Sequence, residues 1–392
     1  MRKWGISLCS VNIAQTLVNE TGSFQEIANS PELVYMFRDG LGTDTKYVSR
    51  LASIYRERRQ IRFHLLQKIQ AFLNMNGHRF RVMDCMHRVG AEFHVKRNGN
   101  GHAYYSGIHV CGSVWLCPVC SHRIAGFRRS EFQKASEKGY SAMLITFTMQ
   151  HGKGEALDKL LSVLNESVRS LKGGRWWQSF RDEWNIKAYA TSLEITLSQV
   201  NGWHPHKHMV IYCDKAQGEL DAEKIKAEIL KRYAELMKKN KRYVSGTYGI
   251  DVSVADDAVG NYVSKWGIWN EMSQAPLKIG RGESITPFEL AEAAAAGIPF
   301  AVQAFQEYAE ATYGKRQIVW SHGARELFGL GAERSDVDIA QGDPDDETII
   351  TLHGSWWRII RAHDVMGELL EIAERAGANG VMQFLNSLSP PD

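Results

Sequence analysis

Residues 187–213 read KAYATSLEITLSQVNGWHPHKHMVIYC, two alternating stretches joined by Gln199-Val200-Asn201-Gly202. In the first stretch Tyr189, Leu193, Ile195 and Leu197 share one face of an extended chain, and Ser192, Glu194 and Thr196 share the other. The second carries His204, His206 and His208 at two-residue spacing and runs into Met209-Val210-Ile211. Alternation on both sides of an Asn-Gly turn predicts an antiparallel hairpin. On a strand, residues i and i+2 lie on one face about 6.6–6.8 Å apart, so neighbouring imidazoles can converge on one ion. Neutral imidazole is the commonest protein metal ligand. A face carrying Ser192, Glu194, Thr196, His206 and His208 is too polar for a core. We therefore read His206, His208 and Glu194 as ligands of one divalent cation, with His204 as the alternate histidine. Surface histidines placed by chance are the competing reading.

Working outward, Met143–Met149 alternates, with Leu144, Thr146 and Thr148 on one face and Met143, Ile145 and Phe147 on the other. Residues 154–172 place Leu157, Leu160, Leu161, Leu164, Val168 and Leu171 at helical spacing, and Gly173-Gly174 ends the run. A second amphipathic helix carries Ile225, Ile229, Tyr233, Leu236 and Met237; Ile250, Val252 and Val254 mark a fourth strand, and a helix follows from about Asp256. The order strand, helix, strand, strand, helix, strand is the split βαβ pattern of ferredoxin-like domains. The expected class is α+β, an antiparallel sheet with helices on one face and the histidine strand internal. Gly260-Asn-Tyr262-Val-Ser-Lys265-Trp266-Gly267 lies on that last helix, where Tyr262, Lys265 and Trp266 share a face.

Upstream, Cys111-x5-Cys117-Pro-Val-Cys120 carries a Cys-x-x-Cys turn, which sets two thiolates on one tetrahedral ion and calls for two more ligands. Cys111 is the natural third and Cys85 the chosen fourth, with His87, His109 and His122 as rivals. Such a Zn2+ site is structural; a redox pair or buried free thiols are the alternatives. Six cysteines in 392 residues, three of them crowded into ten positions, suit a reducing cytoplasm better than a disulfide scaffold. No run of 18 apolar residues is present, so no transmembrane helix is expected. The amino-terminal stretch lacks the pattern of a signal peptide.

The net charge of +3 conceals a gradient. Residues 1–130 hold 18 Lys and Arg against 8 Asp and Glu, residues 131–275 hold 20 against 18, and residues 276–392 hold 9 against 18. A basic first third suggests contact with a polyanion, a solvated basic face being the plainer reading.

The ordered set resembles the HUH endonuclease superfamily, and within it the single-tyrosine initiators of plasmid rolling-circle replication. The matching parts are Ile145-Thr146-Phe147-Thr148, the histidine segment WHPHKHMVI (203–211) and Tyr262-Val-Ser-Lys265; HVCGSVWLCPVCSHR (109–123) resembles the cysteine-rich stretch of these proteins. The likeness covers about residues 80–270. Lys207 stands where the superfamily usually has an apolar residue.

The resemblance implies that Tyr262 attacks a DNA phosphodiester, leaving a 5′-phosphotyrosine and a free 3′-hydroxyl. A phenol with pKa near 10 is a poor nucleophile at neutral pH, so Mg2+ or Mn2+ at the histidines must polarise the phosphate. Lys265 can stabilise developing charge. Thr146, Thr148, Trp203 and Lys207 belong to the motifs expected to contact DNA, and Trp176, Trp177 and Trp184 are candidate stacking rings. Implied partners are single-stranded or extruded origin DNA and a host helicase and polymerase, with an oligomer allowed and no membrane. Trp266, one turn after Tyr262, has no nucleophilic oxygen, so termination calls for another protomer or an activated water. Asp257, or Asp256, is the expected activator, with helix capping as the plainer role. Two competing functions are a transposase of the same superfamily and a zinc-stabilised DNA-binding protein without catalysis.

The expected organisation is a basic helical region (1–80), a zinc module (81–130), the catalytic domain (131–275) and a mainly helical accessory region (276–392). The last holds an Ala-rich helix (288–313), an acidic loop (342–347), a closing helix near 363–376, and Trp356-Trp357 as core or interface.

Overall fold

The computed structural model describes residues 59–73, 79–87, 89–198, 200–254 and 284–388; Asp256, Asp257, Tyr262 and Lys265 lie outside the described residues. Helix α1 (59–73) is followed by β1 (Val89–Arg97), β2 (Ala103–Ile108), α2 (Pro118–Ser136) and β3 (Ser141–Phe147). Helices α3 (Leu157–Leu171) and α4 (Gly174–Glu183) lead to the hairpin β4 (Ile186–Ser198) and β5 (Gly202–Cys213), then to α5 (Ala222–Lys239) and β6 (Ile250–Val254). Next come β7 (Ser284–Ile285), α6 (Pro287–Ala295), α7 (Pro299–Thr312), β8 (Ile318–Trp320) and α8 (Ala324–Phe328). The described chain closes with α9 (Asp336–Gln341), β9 (Glu347–His353), α10 (Ser355–Ala362) and α11 (Met366–Ser387). The protein is α+β with antiparallel sheets.

The larger sheet has the order β6-β3-β5-β4-β7, with β8 also paired to β4, and its pairings are antiparallel. The histidine strand β5 is therefore internal, between β3 and β4. Its register sets Glu194 opposite His206 and Ser192 opposite His208, while Thr146 faces His208 from the other side. A smaller sheet has the order β2-β1-β9.

One face of the larger sheet is core. Met143, Ile145 and Phe147 of β3, Met209 and Ile211 of β5, and Leu193 and Ile195 of β4 are buried with the apolar stripes of α3 and α5. Those stripes repeat every three or four residues, which gives each helix one apolar side. The Phe147 and Tyr233 rings meet edge to face at 5.2 Å. Removing such a ring from a core costs about 3–5 kcal/mol.

The opposite face is divided. Its half away from the hairpin turn, with Ala142, Leu144, Ala188, Ala190, Val210, Tyr212 and Ile318 of β8, is covered by Phe132 and Ala135 of α2 and Phe328 of α8. The half nearer the turn carries Thr146, Ser192, Glu194, Thr196 and the three histidines, placed there by strand alternation.

Several elements differ from expectation. The Ala-rich stretch is two helices, not one. Ile298 is extended (φ −71, ψ 113) because a following proline disfavours the helical region, and Pro299 opens α7. Gly173-Gly174, read as a stop, also starts α4, with Gly173 as its N-cap. The closing helix runs from Met366 to Ser387, interrupted at Gly377 (φ 59). The region after 276 supplies β8 to the larger sheet and β9 to the smaller one, so strand pairing crosses the boundary read from composition. Trp357 is core, its Nε1 donating to the Met86 carbonyl at 2.9 Å.

Candidate functional site

At the end of β3 the sheet brings Glu194, His206 and His208 together, with one ligand atom from each lying within 4.8 Å of the others. His208 is 4% exposed and Glu194 7%. Glu194 Oε2 accepts from His208 Nε2 at 2.7 Å, and His208 Nδ1 bonds Thr146 Oγ1 at 3.0 Å. A hydroxyl can donate or accept, so Thr146 supports either imidazole tautomer. If Nε2 gives up its proton to bind a cation, Nδ1 carries one and donates to Thr146. Two nitrogens and a carboxylate oxygen this close, one of them held by an outer hydrogen bond, fit a divalent cation with open coordination positions.

Local backbone chemistry explains the placement. β3 ends at Phe147, opposite Lys207. Pro205 lies beyond that point and faces only Ile195 of β4, so no second strand needs the N–H that proline lacks. The segment bearing His204 and His206 thus runs past the end of the neighbouring strand.

His204 is not in the triad. Its Nδ1 hydrogen-bonds His151 Nε2, and its ring stands 4.2 Å from that of His206. Burial, with His151 beside it, lowers its pKa to about 4, against the opposing pull of Glu194. His151, in the loop after β3, was missed. No sequence signal marks it, because its place across from the start of β5 depends on where β3 ends.

Trp203 and Lys207, expected to contact DNA, face the helices. Both lie on the helix-covered side of β5. Trp203 is 5% exposed, stacks on Tyr308 at 6.2 Å and donates from Nε1 to Glu307 Oε2 at 2.9 Å. Lys207 Nζ donates to Asn165 Oδ1 of α3, and burial, with Lys172 nearby, lowers its pKa to about 8. Its side chain packs towards α3. Thr148 Oγ1 donates to the Tyr248 carbonyl at 2.6 Å. Trp177 and Trp184 are buried, and Trp176 stacks on Phe180 at 5.1 Å.

The four cysteines Cys85, Cys111, Cys117 and Cys120 form a second cluster, all buried. Three segments converge there: the turn after residues 81–84, the loop after β2, and the first turn of α2, whose N-cap is Cys117. Sγ–Sγ distances are 3.6 Å (Cys85–Cys117), 3.6 Å (Cys85–Cys120) and 3.7 Å (Cys111–Cys120). Disulfide sulfurs sit about 2.05 Å apart. A tetrahedron with Zn–S arms of about 2.3 Å has edges of about 3.8 Å, so the cluster fits that ion. Hydrogen bonds from Cys111, Cys117 and Cys85 hold Cys120 well below the usual thiol range, while burial raises Cys117. His87 is occupied elsewhere, bonding Gln70 Oε1 at 2.9 Å. His109 and His122 are likewise not members of the cluster.

No protein-family model matches the chain, and no solved structure matches it. The chain is similar to a protein named Protein rep from Streptomyces lividans, at 27% identity over 318 residues, 62% of this chain and 70% of that protein. It is also similar to a protein named Neomycin resistance protein from Streptomyces cyanogenus, at 27% identity over 143 residues, 29% of this chain and 33% of that protein. The chain therefore spans about a third of the second relative. Among the described residues, no helix is long and apolar enough to cross a membrane.

Proposed function

We propose that the chain is a plasmid replication initiator of the single-tyrosine HUH type, which nicks single-stranded or extruded origin DNA. The observation that carries this reading is the Glu194–His206–His208 triad on the polar half of the sheet, with Thr146 orienting His208. Two further facts support it. The strand order β6-β3-β5-β4, with α3 and α5 against one face, agrees with a ferredoxin-like core. The likeness to Protein rep favours a role in replication.

In this reading His206, His208 and Glu194 hold Mg2+ or Mn2+, which when bound would polarise the scissile phosphate. Tyr262 attacks phosphorus through its phenolic oxygen, and the 3′-oxygen leaves and takes up a proton. The new 5′-phosphotyrosine conserves the ester for later rejoining, and the 3′-hydroxyl serves a polymerase. Lys265 stabilises the developing charge. Asp256 or Asp257 would activate water for the terminating cut. β6 runs away from the site, from Asp251 level with Thr146 to Val254 level with Met143. Zn2+ at the four cysteines would be structural.

The test is incubation of the full chain with Mn2+ and oligonucleotides tiling its own origin, followed by a denaturing gel. We expect a covalent adduct that disappears in Tyr262→Phe and in the His206→Ala, His208→Ala double variant, with melting temperatures unchanged. Full cleavage by the double variant would overturn the reading, and DNA retention without any adduct in the parent chain would favour a binding protein.

A further inference from the structure

The loop joining α5 to β6 presents two tyrosine rings to solvent, Tyr243 at 64% exposure and Tyr248 at 79%. Its backbone is nonetheless fixed. Ser245 Oγ accepts from the Thr247 and Tyr248 amides at 3.2 and 3.1 Å, and the Gly249 amide donates to the Ser245 carbonyl at 2.8 Å. Val244 is buried in the core, and a Cβ at Gly249 would run into it. The fold thus orders this loop without burying either ring. It also borders the histidine face. Thr148 Oγ1 donates to the Tyr248 carbonyl, the Thr148 amide to the Gly249 carbonyl at 3.0 Å, and the Gln150 amide to the Tyr243 carbonyl at 3.4 Å. The next residue is His151, whose Nδ1 donates to the Asn201 carbonyl of the hairpin turn at 3.1 Å, beside Val200. Three of the four most exposed large hydrophobic side chains among the described residues, Val200, Tyr243 and Tyr248, therefore stand around this segment. Clustered exposure of this kind marks an interaction surface.

Charge says which partner. Lys238, Lys239, Lys241 and Arg242 precede the rings, and no Asp or Glu occurs from 236 to 250. Arg242 pairs with Glu155, while the three lysines are exposed. Lys238 and Lys239 also complement the dipole at the end of α5, as any helix end would favour. Lys241 does not follow from that. Its φ is +56, in a helix ending where its amide donates to the Lys238 carbonyl at 3.0 Å and the Arg242 amide to the Met237 carbonyl at 2.9 Å. Glycine is the relaxed residue at that position. A lysine there keeps a third ammonium beside the rings on a strained backbone.

We propose that this loop is a stacking platform for single-stranded DNA, with Tyr243 and Tyr248 against unpaired bases and Lys238, Lys239 and Lys241 on the phosphates. Aromatic rings beside a cationic track hold a single strand with little regard to sequence, because every base has a face to stack. A duplex keeps those faces against one another, so the rings select the unpaired strand. The proposal rests on the reading that the chain handles single-stranded DNA, and not on the chemistry of Tyr262.

The experiment measures binding of a short fluorescent oligo-dT to the full chain by anisotropy, across a salt series and without divalent cation. Tyr243→Ala with Tyr248→Ala should weaken binding by about tenfold or more and leave the salt slope unchanged, because neutral phenols release no counterions. Lys238→Gln, Lys239→Gln and Lys241→Gln together should flatten the log–log slope by about 2. Lys241→Gly alone should raise the melting temperature while weakening binding, a combination that a purely structural lysine would not give. The same losses should appear in a His206→Ala, His208→Ala background, so failure of the nuclease reading leaves this result standing. A strand carrying 5-iodouracil should photo-cross-link to Tyr243 or Tyr248, a readout that needs no variant. Absence of binding by the parent chain would overturn the proposal. So would parental affinity in the folded tyrosine pair, which would leave the surface to a protein partner.

Discussion

His208 is held on both sides, by Glu194 at Nε2 and by Thr146 at Nδ1. An outer partner of this kind typically sets ligand affinity by about 10–100-fold. We expect Thr146→Val to lose that much Mn2+ affinity by calorimetry with an unchanged melting temperature, and Thr146→Ser to keep it. Equal affinity in the valine variant would show that something else orients the ring. Lys207 gives the opposite expectation. Its side chain faces α3, so Lys207→Met should nick at the parental rate and melt no lower, whereas a nicking defect would restore it to the DNA-contacting surface. This placement was legible in the sequence. Residues 203 and 207 have the parity opposite to the histidines, and alternation on a strand forbids them a shared face. His151 was not legible, because its role depends on where β3 stops.

The hairpin between β4 and β5 was the clearest element in the sequence, and Gly202 shows what it needs. Its φ is +79, and a Cβ there would approach Lys153 Cα at 3.2 Å and the Gly152 carbonyl at 3.3 Å. Those residues belong to the loop that carries His151 against His204. A left-handed conformation costs a non-glycine residue about 1–2 kcal/mol. Gly202→Ala should therefore lower stability by about that amount in urea melts, and it should slow nicking through the displaced loop. An unchanged midpoint would mean that the turn adapts freely. The amphipathic helices α3 and α5 were readable for the same reason as the hairpin: a repeating apolar pattern survives in sequence. The break at Pro299 was equally readable, yet the alanine run concealed it. The start of α4 depends on a left-handed Gly174, which composition does not announce.

At the scale of the molecule, composition suggested four consecutive regions, while β8 and β9 return to pair with β4 and β1. Long-range strand pairing leaves no local periodicity, so this return was invisible in the sequence. The cysteine cluster was visible, since three of its members sit in ten residues. What they hold was not. Helix α2 is rooted in that cluster at Cys117 and Cys120, and 19 residues later its end seats Phe132 and Ala135 under the histidine sheet. It is a rod about 28 Å long that runs from the cysteine cluster to the covered half of the sheet whose other half carries the histidines. Where each cluster holds an ion and the helix couples them, the coupling free energy is reciprocal. If zinc at the cysteines tightens Mn2+ at the histidines, Mn2+ must tighten zinc by the same factor. Stripping zinc with a mercurial and a chelator should weaken Mn2+ binding, read by electron paramagnetic resonance, and Mn2+ should in turn raise the affinity for zinc. Identical Mn2+ affinity with and without zinc would show that the rod transmits nothing. On the coupled expectation, an oxidant that reaches only the thiols loosens Mn2+ at the histidines without touching one of its ligands.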